Sequence, residues 1–129
     1  MQTIRTQSLC GCRVLIVEDE FFLADDLEKV IKRHGGEVIG PAGGLADALQ
    51  ALKDNFDVAI VDINLRDEMA YSVADELTRQ HKPFLLATGY SAEVIPERFR
   101  HIPRWEKPFV VETIVPDLVS LCQSARWLN

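Results

Sequence analysis

Short, nearly continuous apolar runs alternate along this chain with segments whose apolar residues recur every three or four positions, and the pair repeats five times. Arg13-Val14-Leu15-Ile16-Val17 opens the series and ends in three acids, Glu18, Asp19 and Glu20. A run without polar alternation predicts a strand covered on both faces. Leu23, Leu27, Val30 and Ile31 follow at helical spacing, and Gly35-Gly36 is placed to stop that helix. A shorter strand over 37–40 precedes Pro41 and Gly43-Gly44, which read as punctuation before a helix marked by Leu45, Ala48, Leu49 and Leu52. Val58 to Val61 predicts the third strand, ending at Asp62, and Ala70, Val73, Ala74 and Leu77 mark the third helix. Phe84 to Thr88 is the fourth strand. Between Tyr90 and Pro103, prolines at 96 and 103 leave room for a fourth helix of one or two turns only. A fifth strand (104–107) and a last helix complete the pattern.

Alternating strand and helix predict an α/β fold, a doubly wound five-stranded parallel sheet with a shortened or irregular fourth helix. Right-handed crossovers bring the C-terminal ends of all strands to one edge, where open α/β sheets bind their ligands. Residues 13–129 read as one domain after an N-terminal extension, 1–12. A chain of 129 residues with 47% hydrophobic composition can bury a substantial core. The formal charge of −6, without a basic stripe, argues against nucleic-acid binding. No apolar run is long enough to span a membrane and no secretory signal opens the chain, so a cytoplasmic location is expected. Cys10, Cys12 and Cys122 are accordingly expected to stay reduced, the first two in an inert segment before the first strand and the third as a small core residue.

That sheet edge concentrates the chemistry. Glu18 and Asp19 close strand one, Asp62 strand three, Thr88 strand four and Lys107 strand five. Clustered carboxylates repel one another unless a cation neutralises them, and hard oxygen ligands with open positions suit Mg2+. A hydroxyl and an ammonium beside them suit a phosphoryl group.

The residues that carry this constellation make the chain recognisable. With Val-Glu-Asp-Glu (17–20), Val-Asp-Ile-Asn-Leu (61–65), Ala-Thr-Gly-Tyr (87–90) and Lys-Pro-Phe (107–109), it resembles the receiver domain of two-component response regulators from about Cys12 onward. The stretch 83–90 is similar to a subfamily marked by Phe-Ala-Thr-Gly-Tyr. The resemblance implies a flavodoxin-like (βα)5 fold with strand order 2-1-3-4-5. It makes Asp62 the phosphoacceptor, with Mg2+ held by Asp19, Asp62 and the backbone carbonyl of Asn64, and by Glu18 through water. Thr88 and Lys107 would bind the phosphoryl oxygens. The expected function is that of a stand-alone response regulator and phosphoprotein, not an enzyme. Its phosphate donor would be a histidine kinase, of the HWE or a related type, or a histidine phosphotransfer protein. Its output would be a downstream protein target or phosphate relay, without nucleic acid or membrane.

One position departs from the family. Receivers usually place an aromatic switch residue three before the lysine, where this chain has Arg104, read as a solvated edge charge beside a core-facing Trp105. Tyr90, two after Thr88, is the candidate to take over gating. The resemblance also implies a cis Lys107-Pro108 bond. Pro116 inside the last apolar stripe predicts a late helix start, with Thr113 as N-cap. Two rival functions use the same acids. A Mg2+-dependent aspartyl phosphohydrolase would usually carry an acid where Asn64 stands, and a phosphorylation-independent interaction module would not need the complete set of acids, threonine and lysine.

Overall fold

A computed structural model describes residues 8–66, 68–89 and 95–128. Its strands are β1 (Arg13–Val17), β2 (Glu37–Ala42), β3 (Val58–Val61), β4 (Asn64–Leu65), β5 (Glu68–Met69), β6 (Phe84–Thr88) and β7 (Arg104–Glu106). Its helices are α1 (Phe21–Arg33), α2 (Leu45–Ala51), α3 (Tyr71–Arg79) and α4 (Val115–Leu128). Five strands form one parallel sheet in the order β2-β1-β3-β6-β7, the doubly wound order expected; β4 and β5 form a separate hairpin. In the 95–103 connection the helical structure is a single 3-10 turn, Glu97–Phe99.

The apolar runs sort by parity, because successive strand side chains point to opposite faces. Leu15, Val17, Ala59, Val61, Phe84 and Leu86 face α2 and α3 with Phe56 and Phe99. Val14, Ile16, Val58, Ile60, Leu85 and Ala87 face α1 and α4. α1 ends as Gly35-Gly36 requires. Gly35 has φ +91, its N–H donates to the Lys32 carbonyl and that of Gly36 to the Ile31 carbonyl, while a Cβ on Gly36 would stand 2.7 Å from Ile31 Cγ2.

Four expectations change. β2 does not stop at Gly40 but continues to Ala42: Gly40 (φ +91) and Pro41 bulge out between the Leu15–Ile39 and Val17–Ala42 pairs, which an edge strand tolerates. Pro116 does fall in the first turn of α4, but a 3-10 turn over Val111–Ile114 leads into the helix. Thr113 lies in that turn and donates its hydroxyl to the Val110 carbonyl instead of capping α4. Arg104 is half-buried with its Nε shielded from solvent and unpartnered among the described residues, so it is not a solvated edge charge; Trp105 packs on the α1/α4 face, as read. The cysteines are not all reduced. Cys12 and Cys122 form a disulfide with a Cα–Cα distance of 6.1 Å, because α4 turns Cys122 toward the strand face past which the segment before β1 runs.

That segment is part of the core. Leu9 and Cys12 are buried, the Leu9 N–H donates to the His34 carbonyl and the Cys12 carbonyl accepts from Glu37. Leu9→Ala should therefore lower unfolding stability by about 2–4 kcal/mol in urea titrations. A loss below about 0.5 kcal/mol, the scale of surface changes, would show that the segment contributes no packing.

Candidate functional site

The C-terminal ends of β1, β3, β6 and β7 meet at a cleft of about 430 Å3 lined by Asp19, Glu20, Asp62, Asn64, Arg66, Gly89 and Lys107. Asp62 is the first residue past β3 and is buried. Its N–H donates to the Val17 carbonyl (2.8 Å), its Oδ1 accepts from the Asn64 N–H (3.0 Å) and its Oδ2 from Lys107 Nζ (3.0 Å). The aspartate is thus held at backbone and side chain, one oxygen turned to the hairpin and the other to the ammonium.

Lys107 Nζ also donates to Glu18 Oε2 (2.9 Å) and Glu20 Oε2 (2.5 Å). One ammonium bridges three carboxyl groups. Burial favours the neutral amine, but the hydrogen bonds that the ammonium donates to Glu20, Glu18 and Asp62 outweigh it and raise Lys107 above the ordinary lysine range. The Lys107 N–H donates to the Thr88 carbonyl (2.9 Å), and the Lys107-Pro108 peptide is cis, as the resemblance implies. Thr88 itself ends β6 fully buried.

Glu18 is the most strained acid. It is buried, its Oε2 accepts from Lys107 and from the Glu20 N–H (3.2 Å), and no hydrogen bond reaches its buried Oε1 among the described residues. Burial pushes its carboxyl up to about 8, with Lys107 pulling the other way and Asp62 adding to the rise. Asp19 sits further out, where its Oδ2 accepts the Arg66 N–H at 2.9 Å.

Oxygens of Glu18, Glu20 and Asp62 lie within 4.8 Å of one another. This donor set fits a hard divalent cation: carboxylate oxygens, one of them an orphaned buried acceptor, around a solvent-open cleft. Glu20 was missed as a member of the set, although its position, two residues past Glu18, signals it. Arg66 was missed as well. Tyr90 lies outside the described residues, and Arg104 pairs with Leu86 away from the cleft lining.

No family model matches the chain. SdrG from Sphingomonas melonis Fr1, solved in solution, is similar at 36% identity and TM-score 0.75, over 85% of this chain and 95% of that one. The response regulator TrrA of Thermotoga maritima, in complex with Mg2+-BeF, is similar in fold at 23% identity and TM-score 0.73, over 85% and 98% of the two chains. Further similar folds are named as a signal receiver domain from Vibrio parahaemolyticus and a response regulator receiver domain from Methylobacillus flagellatus. The transcriptional regulatory protein PdtaR of Mycobacterium tuberculosis is 28% identical over 81% of this chain and 53% of its own length. The chain thus spans about half of PdtaR, and about a third of the LytT sensory transduction protein of Bacillus anthracis.

The raised Glu18 fixes the sign of a pH effect. In metal-free protein its contribution to stability is fully present below the unfolded carboxyl value of 4.5 and is lost as pH rises through about 8. A cation that neutralises the cluster removes that loss. Mg2+ should therefore raise the melting temperature, relative to EDTA, more at pH 8.5 than at pH 5. Equal stabilisation at both values would contradict this geometry.

Proposed function

We propose, because this chain belongs to the response-regulator receiver family, that it is a phosphoacceptor switch which takes a phosphoryl group onto Asp62. The observation that carries the reading is the buried Asp62 carboxylate, held at the cleft with Lys107 at 3.0 Å and two further acids beside it. The donor is a phosphorylated histidine on a kinase of the HWE or a related type, or on a phosphotransfer protein. The subfamily with the Ala-Thr-Gly-Tyr stretch supports that choice.

Asp62 attacks phosphorus in line; the new O–P bond forms as the P–N bond breaks, and the imidazole leaves with the bonding pair. Lys107 then exchanges carboxylate contacts for a phosphoryl oxygen, a move its flexible stem permits. Thr88, at the buried end of β6, is suited to donate its hydroxyl to a second oxygen. Asp19, Asp62 and the Asn64 carbonyl, with Glu18 through water and Glu20 in reach, would hold Mg2+, which would supply the charge neutralisation that a dianionic group among acids requires. The Mg2+-BeF complex of TrrA is consistent with such a site. The phosphorylated form acts on other proteins, or passes the group on, and no turnover of an external substrate is needed. Residues 13–129 form the receiver, with the end of the 1–12 extension docked on it.

The donor meets an apolar rim. Phe21 and Phe22, 73% and 80% exposed, open α1 beside Glu20, with their rings 5.5 Å apart edge to face. Glu20 and Leu23 share a small cavity with Lys107, Pro108 and Phe109, after which Val110 is also exposed. Such aromatics beside a reaction centre suit a docking helix.

Acetyl phosphate with Mg2+ should label wild type on Asp62, and neither Asp62→Asn nor wild type in EDTA should be labelled. Label that survives either change sinks the assignment. Phe22→Ser should slow transfer from a kinase about tenfold, as loss of an interface anchor does, and leave labelling by acetyl phosphate unchanged. Unchanged transfer from the kinase would remove Phe22 from the docking face.

A further inference from the structure

We propose that Arg66 is a second cation of the acceptor cleft, which pairs with the phosphoryl group once Asp62 carries it; the proposal rests on the acceptor reading above. Arg66 directly follows β4, at the turn of the β4–β5 hairpin closed by the Leu65–Glu68 pair, and has φ 49. Glycine, asparagine and aspartate fill such positions without strain, and a long side chain has no advantage for the turn itself. Strained backbone of this kind is retained where a site uses it.

The surroundings say what the side chain is for. The Arg66 N–H is anchored on Asp19 Oδ2 at 2.9 Å, so the turn is tied to the acid cluster. Its side chain is exposed and, among the described residues, forms no ion pair or hydrogen bond. It lines the acceptor cleft and also a second cavity, of about 290 Å3, on the other side of Asp19. Its Nη2 lies 4.0 Å from where a Cβ on Gly43 would stand, on that second side. The guanidinium therefore borders both spaces and, among the described residues, is committed to neither.

Lys107 is already shared among Glu18, Glu20 and Asp62. Phosphorylation would add a group of about −1.5 to −2 charge to this cleft, by analogy with phosphoserine. A planar guanidinium presents paired donors that match phosphate oxygens, which an ammonium does not. Arg66 is the described cation on the cleft lining that remains uncommitted. Its role is to swing from the Gly43 side onto the phosphoryl group and hold it.

The test titrates beryllium fluoride, with Mg2+, into wild type, Arg66→Asn and Arg66→Lys; asparagine keeps a residue that accepts the turn. Arg66→Asn should bind the phosphoryl mimic about tenfold more weakly, the scale of one charge-assisted contact, with Arg66→Lys in between. Mg2+ alone should bind Arg66→Asn as tightly as wild type or more so, since a competing cation is gone. Equal affinity for the mimic overturns the proposal. A parallel loss of Mg2+ affinity also overturns it, because Arg66 would then only brace Asp19. Wild type that shows no Asp62-dependent binding of the mimic overturns the acceptor reading first, and this proposal with it.

Discussion

The ammonium of Lys107, donating at once to Glu18, Glu20 and Asp62, is the contact on which the sheet edge depends. Parallel strands with right-handed crossovers must deliver their C-terminal ends to one side, and here three of the strands end in or beside acids. Without a counter-charge such convergence opposes folding, since each buried carboxylate raises the cost of ionising the next. Glu18 shows the residual cost, held up to about 8 even with the lysine in contact. The cluster is therefore incompletely neutralised by the protein's own groups, which makes it receptive to a divalent cation.

Placing that ammonium draws on much of the fold. β7 joins the sheet beside β6, and the Lys107 N–H closes on the Thr88 carbonyl. Two residues earlier, Trp105 packs with Phe109 and its Nε1–H donates to Asp117 in the first turn of α4. α4 is in turn bonded through Cys122 to Cys12 and packed on the strand face that Leu9 also covers. A contiguous set of contacts thus runs from the cleft along β7 to α4 and the segment before β1. Any rearrangement of Lys107 would act on that set.

Much of this was legible in the sequence because the signals are local. Val14 to Val17 and Val58 to Val61 are apolar without interruption, and each run leads straight into the acids that mark the functional edge. The family motifs added strand order and the cis lysine-proline peptide. What stayed hidden depends on contacts distant in sequence. Cys12 and Cys122 are 110 residues apart, and nothing in either neighbourhood announces the bond. Arg66 enters the cleft because a short hairpin, invisible to periodicity, turns there. Arg104 was misread because strand parity alone does not show that its Nε is covered.

That one ammonium holds the acids together can be checked by urea unfolding of Lys107→Met in EDTA at pH 8. Methionine keeps most of the side-chain volume and removes only the charge and its three hydrogen bonds. Removing one partner from a buried ionic cluster should cost about 3 kcal/mol relative to wild type under the same conditions. A variant within about 0.5 kcal/mol of wild type, the range of an ordinary surface substitution, would contradict the account.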